Sequence, residues 1–234
     1  MIETIKRLIG YRKYGAINEE DKEYVHKTPK ASQIEVNHPD FKYLPQGLIN
    51  SEIKNQGNTN RCTAYSVATI IETMLTRRLH QNIDIDPKQI WDMQLKTGGS
   101  EKKGDRIFNP LDQVVKNGLE FVTHDINGVA EIRKVTFDSK HMVKPDEWDK
   151  WIKDGHPIAS GLDVYGNIID KTYQAKFTGK LRGAHAVPIL ASYGNFRLQN
   201  SWGESWGLKG TFFLNHADRN KMYSSYVLLG MNIV

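Results

Sequence analysis

Asn200-Ser201-Trp202-Gly203-Glu204-Ser205-Trp206-Gly207 is the stretch on which the reading of this chain turns. It follows the short apolar run Phe196 to Asn200, so a strand ends at an asparagine and enters a turn punctuated by two Trp-Gly pairs. By itself Asn200 is an ordinary turn residue, because its short polar side chain can satisfy nearby backbone groups. Upstream, Gly183-Ala184-His185-Ala186-Val187-Pro188-Ile189-Leu190 sets His185 at the head of another apolar strand. A lone histidine there is more often structural than functional.

A third segment changes the weight of these two. Gln56-Gly57-Asn58-Thr59-Asn60-Arg61 leads into Cys62, and beyond it Ala64, Val67, Ile70, Ile71, Met74, Leu75 and Leu79 recur at three- and four-residue spacing. That spacing predicts a helix of about five turns with one continuous apolar face, opened by Cys62. A thiol at a helix N-terminus meets unpaired backbone N–H groups and the positive end of the helix dipole, both of which favour thiolate. The bland alternative is a small buried residue packed as a hydrophobe.

Together the three segments resemble the papain-like cysteine proteases. Gln-Gly, four residues, Cys, an Ala-aromatic-Ser run, then far downstream His-Ala-Val and Asn-Ser-Trp-Gly-x-x-Trp-Gly stand in that family's order. His185 lies 123 positions after Cys62 and Asn200 lies 15 after His185, close to the roughly 130–150 residues expected. The resemblance covers about residues 43–216. It implies a two-lobed α+β fold with a cleft, and peptide-bond hydrolysis through a thioester. It also implies Cys62 as nucleophile, His185 as base, Asn200 as the group orienting that base, and Gln56 as an oxyanion-hole donor. Trp202 matches the tryptophan that covers the Asn–His hydrogen bond; its plain alternative is core packing.

Substrate-site residues follow less directly. Counting back from Gly118 brings Gly104-Asp105 opposite the family's paired glycines, with Gly98-Gly99 as the other option. Asp105 departs from the pattern, although its main-chain groups would still serve. Thr59-Asn60-Arg61-Cys62-Thr63 replaces the common Cys-Gly-Ser-Cys-Trp, which adds bulk and charge beside the expected primary specificity site. Asn60, Arg61, Gly104, Asp105 and Ala184 are therefore expected to line or shape it, with a specificity unlike papain's.

Elsewhere, a second helix is predicted from Asp86-Pro87 through Met93, a third from Asn109-Pro110 to Asn117, and a fourth from Pro145 to Asp154. Strands are expected over Ile158–Val164, His185–Tyr193, Phe196–Asn200, Gly210–Leu214 and Tyr226–Val234. The chain thus divides into a polar leader, 1–38, and a catalytic domain, 39–234, with a helical lobe over about 60–156 and a strand-rich lobe over about 157–234. The leader is much shorter than the family's inhibitory prodomains of roughly 100 residues; it is expected to cover part of the cleft.

Composition excludes several classes. The 234 residues are 39% hydrophobic and 25% charged, an ordinary globular balance, and Cys62 is the only cysteine, so no intramolecular disulfide or Cys-rich zinc site can form. The net charge of +5 is not gathered into a run of like charges, so no nucleic-acid partner is expected. Ile2, Ile5, Leu8 and Ile9 are interrupted by Glu3, Lys6 and Arg7, which does not read as a signal peptide, and no apolar run reaches membrane-spanning length. Cytoplasmic or virion-associated location is the expectation. The seven other candidate ligands, from His26 to His216, show no HExxH-like spacing, so neither a metal nor a cofactor is expected. The partner is a polypeptide substrate. Acyl transfer to an amine on the same site, or a papain-like module without catalysis, are the alternatives.

Overall fold

A computed structural model describes residues 52–234; the leader over 1–38 lies outside the described residues. Helix α1 spans Cys62–Leu79, α2 Pro87–Lys96, α3 Phe108–Asn117 and α4 Trp148–Lys153. The strands are β1 Leu119–His124, β2 Ala130–Met142, β3 Ile158–Tyr165, β4 Leu181–Tyr193, β5 Asn195–Gln199, β6 Thr211–Leu214 and β7 Met222–Ile233. They form a seven-stranded sheet in the order β1-β2-β7-β3-β4-β5-β6, antiparallel throughout. The mixed α+β class is as expected.

Local chemistry sets the helix ends. The Asp86 side chain accepts the Lys88 N–H at 2.9 Å and caps α2, with Pro87 in the first turn. Gly118 ends α3 at φ +68°, and a Cβ there would lie 2.7 Å from the Val135 carbonyl oxygen. Only glycine meets both requirements. The fourth helix splits into a 3₁₀ turn, Pro145–Glu147, followed by the six residues of α4.

Two expectations need correction. First, the single apolar face expected of α1 understates its burial: Thr63, Ser66, Thr69, Glu72 and Thr73 are buried along with its apolar residues. It runs between the sheet on one side and α2 and α3 on the other, so its polar positions are enclosed too. Second, residues 118–142 hold β1 and β2, where no strand was foreseen and the helical lobe was placed. In β2 only Val135, Phe137 and His141 are buried, so its exposed, charge-rich sequence carries almost no alternation to read. Pairing with β7 over Val135–Met142 defines it instead.

The central strands separate two apolar cores. Ala159, Ala186, Tyr226 and Leu228 join the core built on α1, α2 and α3. Their chain neighbours Ile158, Val187 and Val227 join the other, with Trp148, Trp151, Phe196 and Trp202. Successive strand residues point to opposite faces, so strands covered on both sides read as continuous apolar runs. Small side chains at Ala159 and Ala186 leave room for α1 to lie against β3 and β4.

Candidate active site

Cys62 is the first residue of α1 and is buried. The helix has no side-chain cap at Arg61, so the first-turn N–H groups are left to whatever lies at that end. Across from α1, β4 carries His185, fully buried in register with Leu162 of β3. Its Nε2 lies 2.9 Å from Asn200 Oδ1. Asn200 is placed by its own backbone, whose N–H donates to the Gly210 carbonyl at 2.8 Å. Its Oδ1 also accepts the Ser201 N–H at 2.8 Å. A doubly engaged oxygen leaves the Asn200 amide one orientation, and with it the imidazole.

Trp202 covers this pair. Its ring centroid is 4.9 Å from that of His185 at 30°, and Trp206 meets it edge-on at 5.1 Å. The tryptophan is 5% exposed, so it packs in the second core and shields the His185–Asn200 bond from water at once. Gly203, at φ +80°, lets the turn approach Asn55, whose amide nitrogen would be 3.2 Å from a Cβ.

That close approach brings in Gln56. Asn55 and Trp202 form an antiparallel bridge, flanked by Gln56 N–H to Ser201 O at 2.8 Å and Gly203 N–H to Lys54 O at 3.1 Å. The Gln56 side chain is held at both ends of its amide. Its Oε1 accepts from Ser201 Oγ at 2.5 Å, and its Nε2 donates to Thr59 O at 2.7 Å. One amide hydrogen remains unassigned by these contacts. Ser201 was not singled out from the sequence, although its place between Asn200 and Trp202 was the available signal.

The substrate-site candidates fall differently. Asn60 is buried and its Nδ2 donates to the carbonyls of Glu101 and Lys102 at 2.9 and 2.8 Å, so it clamps the 98–105 loop. Arg61 pairs with Glu101 at 2.6 Å and stacks over Trp91, whose Nε1 also donates to Glu101. Gly104, at φ +82°, exchanges both backbone hydrogen bonds with Ser100, so its main chain is engaged within the loop. The Asp105 carboxylate is buried, accepting from Gln94, Asn109 and the Arg106 N–H. Burial pushes its carboxyl above the usual range despite those donors. Through Gln94, which also donates to Thr63 at 2.9 Å, it is linked to the residue beside Cys62. Ala184 is half-buried next to His185. Among the described residues no cluster of three or more His, Cys, Asp or Glu side chains offers a metal site, and no helix is long and apolar enough to cross a membrane.

A family model described as papain family cysteine protease matches residues 39–228. The chain belongs to the papain family of cysteine proteases. Among curated papain-family relatives, it is 24% identical over 180 residues to a cathepsin L-like proteinase of Fasciola hepatica, covering 68% of this chain and 55% of the relative. It is 22% identical over 218 residues to mouse cathepsin F, covering 80% of this chain and 44% of that one. The chain thus spans about half the length of the curated relatives it matches. Among solved structures it is similar to xylellain, a cysteine protease from Xylella fastidiosa, at a TM-score of 0.68 and 17% identity, covering 94% of this chain and 96% of that one. A ragweed pollen allergen cysteine protease in its proform gives 0.67 at 16% identity, covering 95% and 75%. The papain-like fold expected from the sequence is therefore correct.

Proposed function

We propose that this papain-family chain is an endopeptidase that cleaves polypeptides through a thioester on Cys62. The observation that carries the reading is the buried, tryptophan-covered hydrogen bond between His185 Nε2 and Asn200 Oδ1. With Nε2 engaged, we take the other ring nitrogen, Nδ1, as the one that exchanges a proton with the thiol of Cys62; that the Cys62 helix packs on the strand carrying His185 supports this reading.

In the proposed reaction the Cys62 thiolate attacks the scissile carbonyl carbon, and the carbonyl electrons move to oxygen. The backbone N–H of Cys62 and the remaining Gln56 amide hydrogen donate to that oxygen, a donor of this kind being worth about 3 kcal/mol in the transition state. Protonated His185 gives its proton to the leaving amine as the C–N bond breaks. His185 then takes a proton from water, which attacks the thioester and releases the acid. Throughout, Asn200 Oδ1 accepts from the Nε2–H of the His185 ring, whether that ring is neutral or protonated. Arg61 and the 98–104 loop form one wall of the substrate site; Asn60 and Asp105 hold that wall in place and do not touch substrate.

The test is labelling with an epoxide thiol inhibitor followed by peptide mapping, alongside hydrolysis of denatured casein and of peptidoglycan. Selective modification of Cys62, casein cleavage and their loss in Cys62→Ala are expected. No modification at Cys62, with only slow reaction towards iodoacetamide, would mean that the thiol is not activated and would sink the proposal.

A further inference from the structure

If Gln56 donates to the oxyanion, as proposed above, the segment that carries it must be fixed relative to α1. Its main chain is bonded to the 201–203 turn, but a side chain two residues earlier reaches α1 itself. Lys54 Nζ lies 2.9 Å from Glu72 Oε1 and also contacts Asp84. Glu72 is fully buried on α1, ten residues beyond Cys62 and surrounded in sequence by Ile70, Ile71 and Met74. Its Oε1 accepts the Ile85 N–H at 2.8 Å as well, whereas its buried Oε2 has no hydrogen-bond partner. Burial pushes this carboxyl up to about 8 against the opposing pull of Lys54, and Oε1 is the oxygen that meets both donors. Asp84 supplies the charge opposite Lys54.

An apolar side chain at position 72 would pack there without burying a carboxyl, which carries a desolvation cost. What the carboxyl adds is reach: one oxygen joins α1, the 83–85 segment and Lys54. Lys54 in turn accepts the Gly203 N–H on its carbonyl and begins the bridge that ends at Gln56. We infer that Glu72 is a positioning residue, which through Lys54 fixes residues 54–56 against α1 and so aims the Gln56 amide at the carbonyl attacked by Cys62.

Lys54→Met and Glu72→Leu are expected to lower kcat on a peptide substrate by about 10- to 100-fold with KM nearly unchanged, as for a small misplacement of a catalytic group. Affinity for a peptide aldehyde, whose Cys62 adduct carries an oxyanion, falls in parallel. Alkylation by iodoacetamide, which forms no oxyanion, keeps its rate. Glu72→Gln retains an oxygen for Lys54 and Ile85 and restores kcat to within about 3-fold, while Lys54→Met adds no further loss in a Gln56→Ala background. Losses that multiply with Gln56→Ala, alkylation that falls in step, or a Glu72→Gln variant as poor as Glu72→Leu would overturn the inference. Should Glu72→Leu not fold, the Lys54→Met and Gln56→Ala cycle decides alone. A wild-type protein inactive on both peptide and aldehyde removes the proposed function and this inference with it; an active wild type with unaffected variants removes only the inference.

Discussion

Asn200→Ala offers a severe test of the proposed chemistry, because its effect on catalysis is set by one of the two bonds it removes. In the proposed reaction His185 is cationic when it donates Nε2–H to Asn200 Oδ1, which lies 2.9 Å away. Hydrogen bonds to a charged group contribute about 1.5–3 kcal/mol, and nothing replaces this one, since Trp202 closes the site to water. At about 1.4 kcal/mol per decade, kcat/KM should fall by roughly 10- to 150-fold. The substitution also strips Ser201 N–H of its acceptor, so stability should drop by about 1–3 kcal/mol. Hydrolysis of a fluorogenic peptide across pH 4–9, with urea denaturation of the same samples, separates the two losses. Because the lost acceptor favours the imidazolium, the limb of the profile that reports its deprotonation should move to lower pH. A kcat/KM within about 3-fold of wild type and an unmoved limb would refute the orienting role of Asn200.

Three further substitutions probe its surroundings. Ser201→Ala removes the donor to Gln56 Oε1; the amide keeps only its bond to Thr59 O, and kcat should fall about 3- to 10-fold with KM unchanged in steady-state assays. Asn60→Gly breaks two hydrogen bonds to the 101–102 carbonyls and should cost about 1–2 kcal/mol in chemical denaturation while raising KM more than it changes kcat. Glu72 has its carboxyl raised from 4.5 to about 8 by burial, so the folded protein holds a proton that the unfolded chain releases. Its stabilising effect is complete below pH about 4.5 and is lost as pH rises through about 8. Melting temperatures measured from pH 5 to 9 should therefore decline less for Glu72→Gln than for wild type.

What was legible in the sequence was whatever depended on local pattern. Cys62 opening α1, Asp86-Pro87 starting α2, Gly118 ending α3 and the five downstream strands all follow from periodicity and capping chemistry. The fold was legible because Gln56, His185 and the Asn200–Gly207 block occur in a family order that a chance sequence would not keep. What escaped was set by partners distant in the chain. Strand β2 exists because β7 and β1 pair with it on either side. Glu72 carries no signal in the sequence, and Asp105 reads as a cleft residue, until α1 is enclosed and the 98–105 loop folds over Gln94. Asn60 likewise reads as a cleft residue, yet its amide turns to carbonyls some forty positions away.

Those hidden polar residues share a location: each joins a segment at the mouth of the candidate site to the buried helix α1 or its neighbours. Apolar packing is non-directional, so it can enclose the site but cannot orient an amide or an imidazole to the tolerance that acyl transfer demands. Hydrogen bonds can, provided water is kept from competing for them. Here the Gln56 amide is held at both ends, Asn200 Oδ1 accepts twice, and Glu72 Oε1 accepts twice. Fixing a glutamine side chain costs up to about 2 kcal/mol of rotamer entropy. Because that cost is met when the chain folds, it need not be met again when an oxyanion forms. On the proposed chemistry, this is the physical sense in which the polar residues inside α1 would belong to the same device as Cys62 at its end.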